Sequence, residues 1–101
     1  MPKHKRTKAT AIPLKVKWIV WERDKHCCIL CGRPGDPVAH VVNRSQGGLG
    51  IEENIVTLCQ RCHEAMDNGP DGKTSRQICE AYLRGHYPGW EREKVIYHKQ
   101  P

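Results

Sequence analysis

Apolar residues recur at helical spacing over residues 13–24, where Leu14, Trp18 and Trp21 fall on one stripe beside Ile19 and Val20. Pro13 suits the first turn, so the pattern predicts a helix from Pro13 to Asp24 whose apolar face, both Trp included, packs on the domain. Pro37 to Val42 is a short β-branched run and predicts a strand. Asn43 to Gly50 is polar and glycine-rich, hence a loop. Asn54 to Leu58 predicts a second strand. From Cys59 the period turns helical, and Asn68-Gly69-Pro70 ends that helix. A further helix is expected from a Ser75 cap to about Arg84, with Ile78, Tyr82 and Cys79 inward, before Gly85 to Trp90 breaks it. Val95, Ile96 and Tyr97 mark a last apolar segment, a helix end or an edge strand.

One hundred and one residues make one domain. Phe is absent and 38% of residues are apolar, a modest core that gains from a metal staple. Net charge is +6, which favours a polyanionic partner, nucleic acid before membrane. No run approaches the roughly 20 apolar residues of a membrane span. Residues 1–12 read as a basic flexible tail and 13–101 as the folded domain. In the tail Lys3, Lys5, Arg6 and Lys8 are candidate phosphate contacts, or simply a solubilising end. Met1 to Arg6 lacks the apolar segment of a secretory signal, so a reducing, intracellular compartment is expected.

Six cysteines then change the picture. Cys28/Cys31 and Cys59/Cys62 form two CxxC pairs. Each places two thiolates on one tight turn, and together they make the four ligands of a structural Zn²⁺. Disulfides or unrelated buried cysteines are the alternatives. Cys27 is a substitute for Cys28 that lacks the CxxC spacing, and Cys79 reads as a small core residue. Between the pairs lie His40 and Asn54; His63 follows the second directly, with Asp67 one helical turn later on the same face.

CxxC, His40 before Val41-Val42, Ser45-Gln46-Gly47-Gly48, Asn54-Ile55-Val56-Thr57-Leu58 and Cys59-x-x-Cys62-His63 follow one another in the order that resembles the HNH nucleases and their ββα-metal motif, over residues 23–67. The closest likeness is to small, phage-type, zinc-containing members. The resemblance implies an α+β fold, a zinc-stapled ββα-metal domain with flanking helices. It implies a DNA endonuclease in which His40 is the general base, Asn54 ties the loop, and His63 holds a catalytic Mg²⁺ or Mn²⁺. Products would carry a 5′-phosphate and a 3′-hydroxyl. Cleavage of low sequence specificity, by a monomer or weak dimer, is expected; beside a terminase in phage genome packaging the compartment would be host cytoplasm. Relatives place Asp or His before the general base. Here Ala39 stands there, which leaves Asp67 as the natural second ligand; the alternatives are that His40 itself binds the metal in the resting protein, or that the centre binds it weakly until DNA arrives. Arg44 is a candidate contact to the scissile phosphate. The competing reading is a zinc-stapled nucleic-acid-binding module without hydrolysis, and Ala39 is its support.

Overall fold

The computed structural model describes residues 5–98. Four helices, α1 (Lys5–Thr10), α2 (Leu14–Arg23), α3 (Gln60–Asn68) and α4 (Gly72–His86), surround a hairpin of β1 (Asp36–His40) and β2 (Ile55–Leu58). The strands are antiparallel, with Ala39 opposite Val56, His40 opposite Ile55, and a bulge between Asp36 and Ala39. Successive strand residues face opposite ways. Ala39 therefore enters the core while His40 looks outward, half-buried. Cys28, Val41, Val42, Val56, Leu58, Met66, Cys79, Leu83, Trp90 and Val95 complete that core.

The chain leaves α2 at Asp24 through Lys25 and His26, both left-handed at φ 57° and 64°. Two such residues in succession cost roughly 1–2 kcal/mol each. They are held because Asp24 is locked in place. Its carboxylate accepts from Arg23 Nε at 2.7 Å, Tyr82 Oη–H at 2.6 Å and the Thr57 amide at 2.8 Å. Arg23 spends its remaining N–H groups on Asp24, Tyr87 and the carbonyls of Glu52 and Ile55. One ion pair thus ties α2 to β2, to the loop before it and to α4.

Several expectations are corrected. Residues 5–12 are not a free tail. Lys5–Thr10 is helical, and Thr10 is buried. The Gly50 amide donates to the Ala9 carbonyl at 3.1 Å, an approach so close that a Cβ at Gly50 would lie 1.9 Å from the Ala11 oxygen. A loop without a side chain at that position lets a helix backbone dock on it. Lys3 lies outside the described residues. On α2 it is Val20 that is buried, whereas Leu14 is 71% and Trp18 55% exposed. The stripe carries more apolar surface than the small core can cover. Trp21 is half-buried, stacked on His26 with ring centroids 3.6 Å apart. On α4 the inward face is Cys79 and Leu83, with Ile78 52% exposed. That helix starts at Gly72 with Asp71 as its cap, not at Ser75, because a three-residue loop returns the chain directly from α3. The last segment is a 3-10 turn, Arg92–Val95, followed by extended Ile96 bridged to Gly48.

Candidate functional site

The sulfur cluster is built by two turns. In the first, the Cys28 amide donates to the Arg33 carbonyl at 2.6 Å and the Gly32 amide to the Cys28 carbonyl at 2.9 Å, with Gly32 at φ +80° closing the turn. In the second, Cys59 caps α3, its sulfur accepting from the Cys62 amide at 3.4 Å. That amide holds the Cys59 thiol down at about 7, favouring the thiolate. Sγ atoms of Cys28, Cys31, Cys59 and Cys62 all lie within 4.8 Å of one another. Tetrahedral Zn–S bonds of about 2.3 Å separate sulfurs by about 3.8 Å, and Cys31 and Cys59 stand at 3.6 Å. The donor set and spacing fit a structural metal ion such as Zn²⁺. All six cysteines are free; Cys27 stays outside the cluster and Cys79 is core.

Beside the cluster is a cleft of about 400 Å³. His40, Arg44, His63, Asp67 and Lys17 line it together with Ala11, Ile12, Val38 and Asn43. Four of the five ionisable side chains can be cationic, so the cleft suits an anion such as a phosphodiester.

His40 sits at the end of β1, and its Nε2–H donates to the Thr10 carbonyl at 2.8 Å. Because a carbonyl only accepts, Nε2 carries the proton and Nδ1 is left as the basic nitrogen of the neutral ring. Burial, which disfavours imidazolium, holds His40 below the ordinary histidine value against the pull of the Thr10 bond. At neutral pH the ring is thus uncharged and able to take a proton.

Asn54 is fully buried and does not line the cleft. Its Oδ1 accepts from the Val42 amide at 2.8 Å, while its Nδ2 donates to the carbonyls of Leu49 at 2.9 Å and Val42 at 3.2 Å. One side chain therefore pins both ends of the loop after β1. The loop is gripped from the other edge by Leu49 N–H to Val95 and Tyr97 N–H to the Gly47 carbonyl, each at 2.8 Å. At Gly48 a Cβ would fall 1.7 Å from the Val42 oxygen, so the Gly47-Gly48 pair permits this crossing.

His63 and Asp67 meet across one turn of α3, Nε2 to Oδ2 at 3.3 Å. Among the described residues the cysteine cluster alone groups three or more metal-ligating side chains. An imidazole and a carboxylate in an open cleft could serve Mg²⁺ or Mn²⁺, which keep waters and take phosphate oxygens. Ala39, fully buried, offers nothing to that centre.

Arg44 is turned toward α1, donating to Thr10 Oγ1 at 3.0 Å and the Thr7 carbonyl at 3.2 Å. Arg6 donates to the Ser45 carbonyl. Lys5 and Lys8 are exposed on α1. Sequence reasoning missed Thr10, Lys17 and Arg76 as neighbours of the site. A signal existed for Arg76. The short Gly69–Asp71 link makes α3 and α4 antiparallel neighbours, so a cation early in α4 faces the end of α3.

Residues 28–69 match the family model of the HNH endonucleases. Neither a curated protein nor a solved structure matches the chain. Thr10, Lys17 and Arg76 all lie outside the matched residues. No helix among the described residues is long and apolar enough to cross a membrane.

Proposed function

We propose that the protein is a divalent-metal-dependent DNA endonuclease of low sequence specificity. One observation carries this reading: a neutral His40 with its Nδ1 free shares one cationic cleft with the His63–Asp67 pair. In this reading Lys17 and Arg44 draw a phosphodiester into the cleft, and His40 Nδ1 takes the proton of the attacking water. Asn54 holds the loop, and with it the end of β1, at the right distance. His63 and Asp67 hold Mg²⁺ or Mn²⁺, which supplies charge stabilisation for the leaving 3′ oxygen. The four cysteines hold Zn²⁺ and fix where α3 begins. A single site cuts one strand per visit, so a monomer nicks, and a double-strand break takes two visits or a weak dimer. Work beside a terminase in packaging a phage genome, inside the host cell, is the biological setting that the family likeness suggests.

Ala39 favours a second reading, a zinc-stapled module that binds nucleic acid without cutting it. Supercoiled plasmid incubated with protein and Mg²⁺ or Mn²⁺ separates the two. Nicking by the native chain and its loss in His40→Ala support the nuclease. Nicking that persists in His40→Ala removes the proposed base, and binding without nicking by the native chain leaves the module.

A further inference from the structure

Arg76, early in α4, is 17% exposed and spends its fork on three acceptors. Nη2 donates to Asp67 Oδ1 at 3.1 Å. Nη1 donates to the carbonyls of His40, at 3.2 Å, and Val41. The other carboxylate oxygen, Oδ2, is the one beside His63. The two oxygens of Asp67 thus have separate partners, Oδ1 held by Arg76 and Oδ2 facing His63, its companion in the cleft lining. The same guanidinium grips the backbone of the residue whose ring carries the free nitrogen. We infer that Arg76 is a positioning residue that presents Asp67 to the metal through one oxygen and locks α3 to the end of β1. The inference rests on the nuclease reading and adds to it a residue on α4, beyond the matched domain. A planar fork can hold a carboxylate and two carbonyls at once; a lysine ammonium, a point charge on a flexible stem, cannot hold the same geometry.

The sign of the effect separates positioning from charge alone. Removing a cation beside a metal site strengthens divalent binding through simple electrostatics. Losing the device that aims the ligand weakens it, by about tenfold or more for such supporting partners. The test titrates Mn²⁺ into the zinc-loaded protein, with free Mn²⁺ followed by electron paramagnetic resonance. Native chain, Arg76→Met, Arg76→Lys, Asp67→Asn and the Asp67→Asn/Arg76→Met double variant are compared, with zinc content and circular dichroism as checks on the fold. Arg76→Met is expected to raise the Mn²⁺ half-saturation about tenfold or more. Arg76→Lys should raise it less, and the double variant should be no weaker than Asp67→Asn alone, because both changes act through one oxygen. If Arg76→Met does not fold, Arg76→Lys alone decides, and it must bind Mn²⁺ more weakly than the native chain. A native chain that nicks plasmid while the folded Arg76 variants bind Mn²⁺ equally or more tightly overturns the role of Arg76 and spares the nuclease. A native chain that neither binds Mn²⁺ nor nicks overturns both.

Discussion

Arg23 and Asp24, neighbours in sequence, face each other as a buried two-pronged ion pair, Nε to Oδ1 at 2.7 Å and Nη2 to Oδ2 at 3.0 Å. The pair is what the turn into the first cysteine knuckle hangs from. Asp24→Asn removes the charge and leaves Arg23 buried beside a neutral amide. A loss of about 3–5 kcal/mol is expected, seen as a lower urea midpoint in the zinc-loaded protein. An unchanged midpoint would show the pair to be dispensable.

Acid should act on the same residue. Burial alone would push the Asp24 carboxyl up, but bonds from Arg23 and Tyr82 outweigh it and hold it below the ordinary carboxylate value. Folding thus favours the charged form. Its contribution is complete above about pH 4, the unfolded value, and is lost as pH falls through the folded one. Comparing native chain and Asp24→Asn by thermal melts of the zinc-loaded protein at pH 7.5 and pH 5.5 checks this: the gap between them is expected to stay constant, whereas a gap that already shrinks at the lower pH would show a carboxyl not held below its ordinary value.

Zinc removal is expected to unfold the domain, because metal-binding energy is part of the folding energy when four ligands come from two distant turns. Circular dichroism during chelation reads this directly. A spectrum that stays native after the metal has left would mean that the core stands without its staple.

Asn54→Ala strands the Val42 amide and two carbonyls in a dry place. Each unpaired buried group costs about 1–3 kcal/mol, so the variant should melt lower and nick poorly at temperatures where it is still folded. Normal nicking by folded Asn54→Ala would show that the loop keeps its shape without the amide.

Gly50→Val tests whether α1 belongs to the site. Its Cβ would meet the Ala11 carbonyl, displacing the segment whose Thr10 oxygen orients His40. Zinc content and helix signal should persist. Nicking should fall, by up to about 100-fold if the ring shifts by 1 Å. Full activity would make the Thr10 bond incidental.

What the sequence made legible is local. CxxC turns, the i,i+4 pairing of His63 with Asp67, and the order strand, loop, strand, helix each sit within a few residues and follow from backbone geometry. The two exposed α2 residues, Leu14 and Trp18, show where periodicity misleads, since it finds a stripe without saying how much of it a small core can cover. Thr10 was illegible for another reason, and so was the hold of Arg76 on the end of β1. They reach His40 from 30 and 36 positions away, and nothing in a basic hexapeptide or a lone helical arginine announces a distant ring or carbonyl. Asn54 stands between these cases: its place between two runs marked it, but its burial beneath the loop, out of the cleft, required coordinates.

Cys59 has two employments, corner of the sulfur cluster and cap of the helix that displays His63 one turn later. An ion lost from the cluster would therefore loosen the start of that helix, and with it the His63–Asp67 pair one turn on.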